Sequence, residues 1–377
     1  MFVNKDEHTK YAELLVTYKD YVETFNSLYQ LKSENEEEIN KLFNMIKTNL
    51  IDTKYFGVDQ IIKIFSNIII YRNGYLKSYF ALFKKFYEEY HPKQVPGISV
   101  IFNYFAYKKY GIVLDNMRKS SINQLEKQNL SLDVHEENTI YRSIMNDDKE
   151  RFIAFTETPE FDEKQLFKSE LYPYNKEGYN LIELCCYHGA VNCFKFLRTK
   201  YKSPITETCL QFSFLSGKPD IMSECMKARR PYDSCMRYAI ISHNIDFICF
   251  LMNEYNIRIS LENCCEFKNL QAFLVFLDQT EYIQTAFTYS ASFNIPELCK
   301  YLIQCDSNIL LTMNNAYPNT NTAINYAVEG NSVETAKFLF DNGAKFNRFH
   351  SEKYELHIAI INNCKKWSNY FFLKAPK

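Results

Sequence analysis

From Tyr11 the apolar residues fall three and four apart, at Tyr11, Leu14, Leu15, Tyr18, Tyr21, Val22, Phe25, Leu28 and Tyr29, which places them on one face of a helix. The stripe resumes at Ile39, Leu42, Phe43, Ile46 and Leu50, behind the acidic run Glu34 to Glu38, whose carboxylates favour a helix N-terminus. Further helical patterns cover Val58 to Tyr71, Tyr75 to Tyr90 and Ile98 to Tyr110, broken at Asn73-Gly74, Pro92, Pro96-Gly97 and Gly111. They predict a helical region with a core of Phe, Tyr and Ile. The polar stretch from Asn116 to Asp133 reads as a hinge or a solvated helix.

From about residue 140 the period changes to short apolar segments recurring every 25–40 residues, the mark of internal repeats. The strongest copy runs from Asn321 through Ala323-Ile324-Asn325-Tyr326-Ala327-Val328 and Val333-Glu334-Thr335-Ala336-Lys337-Phe338-Leu339 to Gly343-Ala344. A second runs from Gly178 through Cys185-Cys186-Tyr187-His188-Gly189 to Leu197. Weaker copies start near Thr208, Ser234, Ile259, Thr285 and Tyr354. In one frame the residue between two helices is 189, 217, 243, 268, 294, 331 or 363, giving steps of 28, 26, 25, 26, 37 and 32. An earlier candidate unit, Ile144 to Asp148 and Phe152 to Phe155, would cap the array.

The residue types have mechanical roles in stacked helix pairs. Thr208, Ser234, Thr285 and Thr322 fall where a hydroxyl can cap the first helix. Leu210, Met236, Leu261, Phe287, Ile324 and Leu356 fill its apolar slot, and Cys185-Cys186, Cys264-Cys265, Ser290-Ala291 and Ala327-Val328 occupy a slot needing small side chains. Gly189, Gly217, Asn294, Asn331 and Asn363 suit a left-handed turn, whereas His243 and Lys268 fit it poorly.

These segments resemble the ankyrin repeat over residues ~140–377, with most steps short of the ~33 residues of a full unit. The motif proline is absent, and its histidine is kept only at His357, being replaced by Glu183, Gln211, Arg237, Glu262, Thr288 and Asn325. An irregular array with weakened bracing between units is therefore expected. With its aromatic helical N-terminal region, the chain is similar to the large ankyrin-protein families of protist parasites, which carry an N-terminal helical domain of unknown function. The fold class this implies is all-α: an N-terminal helical region, residues 1–135, followed by an irregular ankyrin-type α-solenoid of about seven units, residues 136–377.

Composition agrees with helices. Nine glycines and ten prolines in 377 residues are about 5%, too few for phosphate loops or turn-rich β folds. There is no G-x-G-x-x-G or Walker sequence, and Ser216-Gly217-Lys218-Pro219 lacks the upstream glycine of a phosphate cradle. All twelve cysteines lie between Cys185 and Cys364. Cys185, Cys186 and His188 suggest metal chemistry, but no C-x-x-C pair accompanies them, so packing is the expected role and no metal, cofactor or catalytic residue is assigned. The net charge is -1, with +3 in the first 130 residues and -4 in the rest. That balance argues against nucleic-acid binding despite small basic clusters at Lys84-Lys85, Lys108-Lys109, Lys227 to Arg230 and Lys365-Lys366.

No secretory or membrane-spanning pattern is visible, so an intracellular location is expected, cytoplasmic or alternatively nuclear. The resemblance implies a non-enzymatic scaffold or adaptor whose first helices and turn tips form a concave surface for a protein partner. The alternatives are a substrate-receptor subunit of an enzyme complex such as a ubiquitin ligase, and a nucleic-acid binder. No small-molecule substrate and no membrane insertion are expected. The two longest turn segments supply the candidate partner-binding residues: Tyr174, Lys176, Glu177 and Tyr179 in one, Tyr317, Asn319 and Asn321 in the other.

Overall fold

The computed structural model describes residues 10–128, 130–314, 321–330 and 332–345, which form helices and one isolated antiparallel bridge, with no strand among them. Seven helices come first: α1 (Lys10–Thr17), α2 (Lys19–Tyr29), α3 (Glu36–Ile46), α4 (Val58–Ile68), α5 (Leu76–Tyr90), α6 (Val100–Tyr110) and α7 (Lys119–Glu126). The acidic run is a solvated start: Asn35 caps α3, its Oδ1 accepting from the N–H groups of Glu37 and Glu38. Ser99 caps α6 by accepting from Phe102 N, and Gly111 ends it at φ 70°. Between these signals the aromatic stripes bury. Phe80 stacks on Phe102 at 4.8 Å and Phe83 meets Phe102 edge-on at 5.2 Å. The polar stretch after residue 115 includes α7, which buries Ile122 and Leu125 and packs against α6.

The rest stacks helix pairs. Seven occur among the described residues: α8/α9 (Ile140–Met145, Lys149–Thr156), α10/α11 (Leu181–His188, Val191–Phe196), α12/α13 (Glu207–Ser216, Pro219–Ala228), α14/α15 (Asp233–Ile241, Ile245–Tyr255), α16/α17 (Leu261–Glu266, Leu270–Gln279), α18/α19 (Ile283–Ser290, Pro296–Cys305) and, after the short α20 (Ile309–Thr312), α21/α22 (Ala323–Glu329, Val333–Asp341). First helices pack on first helices in one layer, α8, α10, α12, α14, α16, α18 and α21 in order. Second helices pack on second helices where α9 meets α11, α11 meets α13, α15 meets α17 and α19 meets α22. Because each pair doubles back, the turns inside pairs lie along one edge of the stack and the connectors between pairs along the other.

The register of those turns is the one expected. Gly189, Gly217, His243, Lys268 and Asn294 all have positive φ, between 51° and 71°, and Asp147 (54°) adds the early unit to the series. His243 and Lys268 adopt the left-handed turn despite its cost of about 1–2 kcal/mol for a side chain with a Cβ. Asn331, Asn363 and the unit at Tyr354 lie outside the described residues. The apolar slot is buried at Leu210, Met236, Leu261, Phe287 and Ile324, as is the small-residue slot at its cysteines and alanines.

Two expectations are corrected. Thr208, Ser234 and Thr285 lie inside α12, α14 and α18, which start earlier, after Thr206, Tyr232 and Tyr282; Thr206 supplies the cap, accepting from Cys209 N at 3.1 Å. Only Thr322 stands at a helix start as expected, where its N–H donates to Asn325 Oδ1. The missing histidine is also partly replaced. Thr206 Oγ1 donates to Glu183 Oε1 at 2.6 Å, Gln211 donates to the Tyr232 hydroxyl, and Arg237 donates to Asn263 and Glu266, so three successive joints, linking four units, are bridged by residues in the histidine slot.

Candidate partner-binding surface

The N-terminal helices cover the turn edge. Gln60 Nε2 donates to Gly330 O at 2.7 Å, Asn294 Nδ2 to Tyr55 O, Gln30 Nε2 to His243 O at 2.9 Å, and Tyr187 Oη to Ile70 O at 2.8 Å. Tyr71 reaches the first-helix layer, meeting Tyr238 and Phe267 edge-on, and its hydroxyl accepts from Arg237. Helix α1 lies along α17, where Tyr11 N donates to Asp278 Oδ1. The first-helix face expected to receive a partner is therefore occupied, at its turn end, by the chain's own N-terminal region.

The covered turns hold perturbed groups. His243 is buried beneath Tyr29, stacked at 4.0 Å and 18°. Its Nε2 faces Phe267 O and its Nδ1 the Asn26 side chain, both at 2.9 Å, and burial pushes its pKa down to about 3. Among the described residues Lys268 has no carboxylate partner: its Nζ donates to Ser292 O at 2.8 Å and lies 5.9 Å from the Phe56 ring, and burial lowers its pKa to about 8.

The connector edge carries one long finger, residues 157–180. Phe167 and Tyr179 exchange both backbone hydrogen bonds at 2.8 Å, closing it as a narrow hairpin. Tyr174 stands at its tip with 92% of its surface exposed, beside exposed Lys176 and Glu177. Asn175 Oδ1 accepts from Glu177 N and holds the turn. Tyr179 is a correction: it is buried, its hydroxyl donating to Pro173 O at 2.8 Å, so it supports the finger instead of presenting it. Asn321 is half-buried and donates to Glu329 Oε1, while Tyr317 and Asn319 lie outside the described residues. Sequence reasoning also missed the finger's base, where Tyr172 Oη lies 2.7 Å from His135 Nε2 and 2.6 Å from His188 Nε2. With one proton, that hydroxyl donates to one ring and accepts from the other. Burial lowers His135 to about 4 and His188 to about 3.

Gly178 fixes the finger's return segment at φ 95°, and a Cβ there would sit 2.8 Å from Phe167 O. Gly178→Ala is expected to cost about 1–3 kcal/mol through left-handed strain and that clash, read as a lowered thermal midpoint. A wild-type midpoint would show that the finger bears no such constraint.

Cys185, Cys186 and Cys264 are buried, which pushes their thiols up, and no metal-holding group occurs among the described residues. Cys209 is lowered instead, first by a hydrogen bond from Cys186 and then by Thr206. Ser216 to Pro219 is simply a turn within a pair. Lys84 and Lys85 pair with Glu88 and Glu36, and Lys108 donates to Leu130 O. No helix of the described residues is long and apolar enough to cross a membrane.

Two family models match the stack. One for ankyrin repeats matches residues 261–350 and again 287–371. One for a domain of unknown function, DUF3447, matches 201–276, which covers helix pairs of the same stack from α12 to α17. No curated protein matches the chain. The architecture and these matches agree on an all-α chain: an N-terminal helical region followed by an irregular ankyrin-type solenoid.

Proposed function

We propose that this chain is a non-catalytic scaffold or adaptor that binds a protein partner along the connector edge of its solenoid. The observation carrying the reading is the braced finger, held at its base by Asn73 and His135, that exposes Tyr174, at 92%, at its tip. A tyrosine held on a rigid support offers large contact area at low conformational cost. Lys176, Glu177 and, further along, Asn321 complete the first contacts, with Tyr317 and Asn319 assigned to the other long segment. Recognition is stoichiometric, the stack holding its contacts at fixed spacing. In this reading residues 1–135 form a helical domain that closes the turn edge, residues 136–377 form the array, and the protein works inside the cell. Membership of the protist-parasite ankyrin families belongs to the same proposal.

Affinity purification from the native cell tests it. One reproducible protein partner is expected, bound at least about tenfold more weakly by Tyr174→Ala, as for a contact worth over 1 kcal/mol. Recovery of ubiquitin-ligase subunits would replace the adaptor with a substrate receptor. Partners lost on nuclease treatment, or turnover by the purified chain, would sink it.

A further inference from the structure

The connector edge changes sign along its length. The finger at 157–180 has six acidic and three basic residues, whereas residues 198–230 have seven basic and three acidic. Most of this positive charge stands where second helices end, Arg198 and Lys200 in the helical turn Leu197–Tyr201 that extends α11, Lys202 after it, and Lys227, Arg229 and Arg230 at the end of α13; Arg258 follows α15 in the same way. Lys200, Lys202, Arg230 and Arg258 are exposed, and among the described residues none has an ion-pair partner.

These cations are held in place. Lys200 Nζ lies 5.3 Å from the Phe196 ring and 5.5 Å from Tyr201, and the Arg230 guanidinium 5.9 Å from Tyr255. Arg198 and Arg229 donate to Ser203 O and Ile205 O, both at 2.6 Å, and so pin the intervening connector. Terminating a second helix does not require them, since α17 and α19 end with no basic residue in the last turn.

We propose that the consecutive second-helix ends and connectors at 198–206, 229–232 and 256–260 form a docking track for an extended acidic segment of a partner protein, with a carboxylate at about every third residue. Neighbouring packed helices lie about 8–10 Å apart, so successive connectors repeat at that distance. A polyproline-type chain advances about 9 Å per three-residue turn and returns every third side chain to one face, which matches the step. The aromatic rings behind Lys200 and Arg230 give that chain an apolar floor. Exposed carboxylates at Glu207, Asp233 and Glu254 interrupt the track. They would repel a continuous phosphate backbone but fit between spaced carboxylates. The inference rests on the reading of this chain as an interaction protein and names the chemistry of its partner.

The test uses the full chain and fluorescence anisotropy with a labelled (Glu-Pro-Pro)4 peptide at about 50 mM salt, where exposed charges are weakly screened. Binding is expected, at least about tenfold weaker for K200E/R230E with an unchanged thermal midpoint. A labelled peptide of equal composition with its four glutamates contiguous is expected to bind more weakly. Equal affinity of the variant, equal affinity of the contiguous peptide, or tighter binding of a single-stranded RNA 12-mer would each overturn the track. Failure of the probe while a cellular partner is still captured removes the track alone, and absence of any cellular partner removes the adaptor reading.

Discussion

Lowering the pH from 7.5 to 5 should destabilise this protein by about 6 kcal/mol, roughly 2 kcal/mol from each of three histidines. His135, His188 and His243 sit at about 4, 3 and 3 in the fold because burial disfavours the imidazolium. In the unfolded chain each returns to about 6.5. The unfolded state therefore binds these protons first, so the stabilisation is complete above about pH 6.5 and is lost as the pH falls towards the folded values. At pH 5 the unfolded rings are almost wholly charged and the folded ones almost wholly neutral, which sets the figure for each ring. Urea unfolding at pH 7.5, 6.5, 5.5 and 5.0 measures the loss. His243→Asn should remove one third of it, since asparagine tolerates the left-handed turn at this position. Stability unchanged between pH 7.5 and 5 would show that these rings are not buried neutral.

Tyr29→Ala is the second large expectation, at about 3–5 kcal/mol for deleting a buried aromatic. Tyr29 is 1% exposed and covers His243, so its loss opens the joint between α2 and the turn edge as well as a cavity. Two readouts separate these effects. Tyr29→Phe should keep most of the stability, and Tyr29→Ala should lose part of its acid sensitivity, because His243 then meets water and regains a higher pKa. In a double-mutant cycle with His243→Asn, a coupling of about 0.5–1.5 kcal/mol is expected for the stacked pair. Additive effects would mean that the stack at 4.0 Å contributes nothing beyond burial.

Helices and repeat frame were legible because they rest on local chemistry. The three-and-four spacing from Tyr11 to Tyr29 is a property of one helix face, and Gly189, Gly217 and Asn294 announce left-handed turns by residue type. His243 and Lys268 were poor matches by type, and the structure explains why they are tolerated there. Each spends its side chain on a contact beyond its own unit, His243 with Asn26 and Phe267 and Lys268 with Ser292. The helices start two or three residues before Thr208, Ser234 and Thr285, and hydroxyls inside a first turn look the same in sequence as caps. Of the candidate contacts, Tyr174, Lys176 and Glu177 are exposed as a turn tip should be. Tyr179 is not, since its burial depends on Pro173 and on the bridge to Phe167. Nothing local distinguishes two tyrosines five residues apart in one loop. The occupied turn edge was the least visible feature, for it depends on pairs such as Gln60 with Gly330 that no periodicity links.

That last separation has a consequence for how the chain is made. Gln60 and Gly330 are 270 residues apart, and Gln30 and His243 are 213 apart. At a synthesis rate of about 5–20 residues per second, the first helices leave the ribosome roughly 15–55 seconds before the turn at Gly330 exists. The helix pairs can stack one after another as they emerge, and α2 and α4 can pack on α3 and α5, but the sides of α2 and α4 that meet the turns at His243 and Gly330 stay open until those turns exist.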